Sequence, residues 1–253
     1  MTMKPFNANS GLRAYPVWDR TVRWFHWINV VCVLGLLAVG TFIYFGDAFG
    51  VNGEGKVLLK TIHVSIGYVF GVNLIWRLVW AFIGGPFARW GRLLPFGRGW
   101  GRGYRAYVSG FRRGDPPAYA GHNPAARVSV SLLLALMISQ ASTGLVLAGT
   151  DLYFPPFGAS IAGWVAEAGQ DASALLPGSK EGVDPAAWDE MRAFRSPFIT
   201  VHMWGYYLLL GLIPLHVLGV IITDIRERSG LISAMFTGRK VFRGRPVDLD
   251  DDA

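Results

Sequence analysis

Residues 198–224 read FITVHMWGYYLLLGLIPLHVLGVIITD, twenty-seven positions with no charged side chain before the last. A helix needs about 20 residues to cross a hydrocarbon core of about 30 Å, and tilt absorbs the surplus. Two histidines, His202 and His216, are set into this apolar run fourteen residues apart. An ionisable side chain at membrane depth is costly and rare, and by default it marks a function.

Three further stretches have the same character: Val22–Phe45, Val57–Ile83 and Arg127–Gly149. The 253-residue chain is 52% hydrophobic and only 16% charged, against about 25% charged in a typical soluble domain. An ordinary soluble enzyme is thereby excluded. No segment alternates with period two, so helices are the only way across. The first block is too long in its apolar core, and lacks the small-residue site, for a cleavable signal. The expected fold is an all-α integral membrane protein: one membrane domain over 1–253, a four-helix transmembrane bundle with short interfacial helices.

The formal net charge is +7, and its distribution assigns sides. Residues 1–23 (Lys4 among them), the loop 84–126 with Arg127 at its end, and the tail 225–253 hold eighteen basic residues. The two remaining connections, including 150–197, hold five basic residues against nine acids. The positive-inside rule then puts both termini in the cytoplasm and the acidic loops outside, as for a multi-pass protein of the bacterial inner membrane. In the basic loop, GRGYRAYVSGFRRG (101–114) places Tyr104, Tyr107, Val108 and Phe111 on one helical face. Beside a membrane this reads as a basic amphipathic helix on anionic lipid, with no nucleic-acid partner. The tail segment SGLISAMFTGRKVF (229–242) reads as a return to the membrane surface, and DLDDDA (248–253) as a solvated acidic end.

The lone cysteine, Cys32, excludes an internal disulfide, a multi-cysteine zinc site, an iron–sulfur cluster and covalent c-type haem. It is expected to pack as a small hydrophobe. In GHNPAAR (121–127), Asn123 suits a helix N-cap and Pro124 the first helical position, leaving His122 as an ordinary loop histidine, with a surface or propionate-adjacent role as the alternative. DPAAWDEMRAF (184–194) reads as a short external helix capped by Asp184, with Trp188, Met191 and Phe194 as an apolar edge. It suits either a docking platform for an external redox protein or a lid.

Four of the five histidines fall inside spans: His26, His63, His202 and His216. Alternating span direction puts His26 and His216 near the cytoplasmic level and His63 and His202 near the external one. Fourteen residues carry His202 to His216 about 21 Å along the helix and back to within about 40° of the same direction. Each level thus receives two imidazoles from different helices, the axial ligand set of a six-coordinate b-type haem. Another metal, or histidines that hold the bundle or relay protons, are the alternatives. Gly67, Gly71, Gly205, Gly211 and Gly219 give a flat ring room or let helices pack closely. Pro214 frees a carbonyl beside the inner site. Arg77, inside the second span, suits a haem propionate, as do Arg20 and Arg23, which snorkelling explains equally well.

The segments VWDRTVRWFHWINV (17–30), GHNPAAR and VHMWGYYLLLGLIPLHVLGVI (201–221) resemble the bacterial cytochrome b561 superfamily. The likeness is greatest to the diheme b-type cytochrome subunits of membrane-bound nickel–iron hydrogenases, and it runs from about Val17 to Arg243. It implies two haem b groups, one on His26 and His216 and one on His63 and His202. It also implies electron transfer between a periplasmic redox subunit (a hydrogenase, a dehydrogenase or a c-type cytochrome) and quinone. Hydrogenase members have a further histidine beside the first ligand of the last helix. The stretch Thr200-Val201-His202-Met203-Trp204 lacks it, which counts against a hydrogenase partner. A stand-alone quinol oxidase acting on superoxide or another small acceptor is the alternative within the family. A non-redox anchor or proton-relay protein is the alternative outside it.

Overall fold

The computed structural model describes residues 11–97 and 99–252, with the backbone alone at 250–252. Lys4 and Arg98, both counted in the charge balance, and the last residue of the acidic end lie outside the described residues. Strand β1 (Arg13–Pro16) leads into α1 (Arg20–Tyr44) and α2 (Gly53–Ile83). A 3-10 turn (Pro86–Ala88), α3 (Trp90–Leu93) and α4 (Trp100–Arg113) precede α5 (Pro124–Leu152). Then come α6 (Gly158–Val165), a 3-10 turn (Ala172–Ala174) and α7 (Pro185–Glu227). Helix α8 (Leu231–Thr237), strand β2 (Arg239–Phe242) and a last 3-10 turn (Val247–Asp252) close the chain.

Helices α1, α2, α5 and α7 are long and apolar enough to cross a membrane, and each covers nearly all of, or exceeds, its expected span. Their apolar faces stay bare, with Val31 70%, Phe82 72% and Ile225 68% exposed. Patches of that extent belong against lipid. Local chemistry explains the starts. Asp19 Oδ1 accepts from Val22 N at 2.8 Å at α1, and Asn123 Oδ1 from Ala126 N at 2.8 Å at α5. Asp184 Oδ1 accepts from Ala187 N at 2.8 Å at α7. Each is a short polar side chain answering a helix-end amide.

Helix α7 departs from expectation by starting at Pro185 rather than near Phe198. The stretch 184–194 is therefore no separate helix; it is the first turns of the last span, which continues through Pro197 and Pro214. Met191, expected on the apolar edge of a docking platform or a lid, is fully buried with Ile161, Ala162, Val165, Leu175 and Val183, and Trp188 packs against them. Phe194 alone of that edge stays 43% exposed. The loop 150–197 thus carries a core of its own.

The described chain divides into two compact units. The first comprises the chain up to His26, Arg77–Leu132 and everything from Ile213 onward, and the second Trp27–Trp76 with Leu133–Leu212. Val17, Trp18, Phe87, Ala120 and Ala234 form the core of the first. There β1 pairs antiparallel with β2, Arg13 opposite Phe242 and Pro16 opposite Arg239, a small sheet that span reading does not foresee.

The contacts of this unit correct three expectations. The tail does not simply return to the membrane surface, because its RKVF residues are paired with the N-terminal strand and Lys240 is 2% exposed. Nor is the acidic end wholly solvated: Asp248 is 3% exposed and accepts from Ala120 N at 2.6 Å and Gly121 N at 2.8 Å. On α4, Tyr107 turns away from lipid into the protein, 3% exposed, and its hydroxyl meets Glu227 Oε1 at 2.7 Å. Asn123 Nδ2 donates to the Tyr107 hydroxyl at 2.8 Å and to Glu227 at 3.1 Å. Burial, then the Glu227 charge, pushes the Tyr107 phenol far above its ordinary range. Cys32 is buried, as expected.

Candidate haem centres

In the second unit, His63 on α2 and His202 on α7 bring their rings to a centroid separation of 6.3 Å at 70°. Two imidazoles on opposite sides of one metal, each bond about 2.0–2.1 Å with about 1.2 Å more to the ring centre, lie about 6.4–6.6 Å apart. The pair is therefore close to the separation that one bridging metal requires. The orientation of His202 is fixed by α5. Thr143 Oγ1 lies 2.9 Å from His202 Nδ1, and the Thr143 hydroxyl already donates to Ser139 O at 2.8 Å. A hydroxyl has one proton to give, so His202 Nδ1–H is the donor and Nε2 keeps its lone pair. This is the tautomer of a metal-ligating histidine whose other nitrogen is anchored. Among the described residues His63 Nδ1 has no hydrogen-bond partner, and the backbone of Leu36 is its polar neighbour.

Glycines supply the room, but not mainly the five marked in the sequence. A Cβ on Gly40 of α1 would stand 3.3 Å from His63 Cε1, and one on Gly144 of α5 would stand 3.5 Å from His202 Cε1. Gly205 instead faces Gln140, 2.8 Å from its Cδ to such a Cβ. Gln140 Nε2 in turn donates to His202 O at 3.2 Å. Gly67, Gly71, Gly211 and Gly219 have nothing within 4 Å of that position. Helices α2, α5 and α7 are tied nearby by Asp151, which accepts from Lys60 Nζ at 2.7 Å and from Arg195 Nε at 2.6 Å and Nη2 at 3.0 Å. Arg195 is also an electrostatic neighbour of His202.

In the first unit, His26 and His216 lie within electrostatic reach of each other. His216 Nδ1 meets Ser129 Oγ of α5 at 3.3 Å. Ser129 and Thr143 are fourteen residues apart on α5, the same interval that separates His216 from His202 on α7. That repeated interval is the signal that could have found both hydroxyls from sequence.

The three arginines have different surroundings. Arg77 is 5% exposed, with its guanidinium carbon 5.8 Å from the centre of the Phe25 ring. Arg23 Nη1 donates to Phe236 O at the end of α8, and Arg20 is exposed. His122 is no ordinary loop histidine. Its ring lies 4.7 Å from that of Trp18, and its Nδ1 is shielded from solvent without a partner. Burial, then the charges of Lys240, Arg77 and Arg127, push its imidazole down to about 3.

The residues present therefore fit haem. Each imidazole pair has one ring in contact with a hydroxyl, the His63/His202 pair has small residues beside its rings, and the buried Arg77 stands over Phe25, the residue before His26.

The family model of prokaryotic cytochrome b561 matches residues 17–238. Among curated relatives, a probable Ni/Fe-hydrogenase B-type cytochrome subunit of Rhizobium leguminosarum bv. viciae is 28% identical over 90% of each chain. A protein of the same description from Cupriavidus necator is 24% identical over 93% of this chain and 91% of its own. A probable Ni/Fe-hydrogenase 1 B-type cytochrome subunit of Escherichia coli K12 is 33% identical over 52% of this chain and 59% of its own. No solved structure matches the chain. A match across residues 17–238, on a chain of four apolar spans with histidines inside them, means that the chain belongs to the prokaryotic cytochrome b561 family: it is a multi-pass membrane b-type cytochrome of electron transport, with haem b as its cofactor.

Proposed function

We propose that the chain is a diheme subunit that carries electrons between a periplasmic redox partner and the quinone pool. The observation that carries this reading is the His63–His202 pair, 6.3 Å apart with His202 turned by Thr143 to present Nε2. His26 and His216 would hold the second haem, and Arg77 would face its propionates. Bound haem supplies one-electron redox chemistry. Around it this chain would do three things: its histidines would hold the iron, Ser129 and Thr143 would set the imidazole orientations, and the apolar spans would exclude water. The charge distribution supports the orientation proposed, both termini in the cytoplasm and the acidic loops in the periplasm of the inner membrane.

The partner we propose is a nickel–iron hydrogenase. Its support is the description of the relatives, which hold their likeness over most of the chain. The missing second histidine beside His202 is then a local difference.

The test is purification in mild detergent from cells that make the neighbouring redox proteins. The expected result is a bis-imidazole b-type spectrum, two haems per chain by pyridine haemochrome, and co-purification of an iron–sulfur hydrogenase subunit. A colourless protein, or one haem per chain, would refute the diheme reading. Reduction of the haems by quinol but never by hydrogen would refute the partner.

A further inference from the structure

Among the described residues of the first unit, the shielded nitrogens without a hydrogen-bond partner include Arg77 Nη1 and His122 Nδ1. A guanidinium held out of water with one arm unanswered is unfavourable unless an anion completes it. Asp19 is an acid within its electrostatic reach, and its carboxylate serves other donors as well. Its Oδ1 accepts from Val22 N at 2.8 Å and its Oδ2 from Trp80 Nε1 at 2.9 Å. Arg77 stands over Phe25, the residue before His26, and His122 has both Arg77 and His216 as electrostatic neighbours. His122 is thus a neighbour of His216, and Arg77 is a neighbour of His122 that stands over the residue next to His26.

The chain around His122 is gripped from several sides. Lys240 Nζ donates to Tyr119 O at 3.2 Å and to Gly121 O at 2.9 Å. The Asp248 carboxylate takes the amides of Ala120 at 2.6 Å and Gly121 at 2.8 Å. Gly121 leaves no slack, since a Cβ there would lie 2.8 Å from the Phe87 ring. A segment fixed at carbonyls and amides alike holds the next side chain in one place.

We propose that Arg77 and His122 form the receptor for the propionate carboxylates of the haem on His26 and His216, with Lys240 and Asp248 as positioning residues that hold His122 there. A guanidinium and an imidazole N–H are donors suited to carboxylate, and the guanidinium bonds are charge-assisted. The proposal rests on the two-haem reading above. A cation beside the carboxylates favours the reduced iron, so its removal lowers that haem's midpoint potential.

The experiment uses the full haem-loaded chain, read by pyridine haemochrome and by optical potentiometric titration. Arg77→Gln should lower the midpoint of one component and leave the other, and Arg77→Lys should restore most of the shift. His122→Ala should release the same haem about tenfold faster under detergent challenge, the low end of the cost of losing an outer partner. His122→Asn should rescue retention, and Asp248→Asn should shift the same component by less. Unchanged potentials and retention in both Arg77→Gln and His122→Ala overturn the proposal. So does a shift confined to the component that His63→Ala removes. If Arg77→Gln loses both haems through misfolding, His122→Ala and Arg77→Lys decide the question by the same readouts. A wild type with one haem sinks the two-haem reading by itself, and the receptor then stands only if His216→Ala removes that haem and Arg77→Gln moves its potential.

Discussion

The His63/His202 pair and the His26/His216 pair use the same ligand chemistry in different surroundings. Around the first, everything that matters sits on spanning helices: Thr143 and Gly144 on α5, Gly40 on α1 and Gln140 against Gly205. Around the second, the helices supply Ser129 and Arg77, but His122, Lys240 and Asp248 come from a loop and the C-terminal tail. A centre made only of helix surfaces is specified by spacing and small residues. A centre finished by loops needs its backbone clamped, since loops cannot satisfy their own polar groups. On the diheme proposal, this difference makes the two proposed centres fail separately, and for different reasons.

The largest effect should come from the ligands themselves. His63→Ala and His202→Ala should each remove the same haem, and His26→Ala and His216→Ala the other, as counted by haem per chain and by the component missing from the redox titration. Loss of different haems within either pair would break the comparison outright.

Next comes steric filling. Gly40→Leu puts side-chain atoms where even a Cβ would stand 3.3 Å from His63 Cε1, so it should deplete the His63/His202 haem and spare the other. Equal loss of both would mean that the substitution acts through the whole bundle.

Smaller shifts should follow from the hydroxyls. Thr143→Val removes the contact at 2.9 Å and Ser129→Ala the one at 3.3 Å. Losing an anchor on the far nitrogen of a metal-bound histidine costs roughly 10–100-fold in affinity, and the shorter contact should cost more. Haem dissociation rates check the order; a larger effect at Ser129 would reverse it.

The smallest effect concerns pH. Burial holds the Lys240 ammonium down to about 8 against an ordinary 10.5, with Glu227, Asp248 and Asp224 opposing the shift. Between those values the unfolded chain keeps a proton that the folded chain has released. Stability then rises with pH across that window. The melting temperature of the wild type, less that of Lys240→Met, should climb from pH 8 to 10.5, and a fall would mean that the charged clamp is the stabilising form.

How much of this could be read from sequence varies by residue. The spans were legible because a bilayer imposes a length and an apolarity that show in one dimension. His202 and His216 were legible because fourteen residues bring a helix nearly back to one direction. The matching interval between Ser129 and Thr143 was equally present, but serine and threonine are common in spanning helices, and only contact with an imidazole singles them out. Tyr107 misled because an amphipathic helix shows which residues share a face, not what covers that face. The Glu227 carboxylate that takes its hydroxyl lies 120 residues away.

By itself, then, the sequence determined the four spans, the charge asymmetry, the helix caps at Asn123 and Asp184, and the four membrane histidines. Spans, caps and histidine spacings depend on residues within a few turns of one another, and the charge asymmetry is a sum over segments that needs no contacts. Only the tertiary structure decided that Lys240 reaches back 121 residues to the carbonyl of Tyr119, that Asp248 is buried, and that Gly40 and Gly144 lie beside the rings. Those contacts join segments far apart in the chain, and they depend on how the chain packs rather than on local spacing.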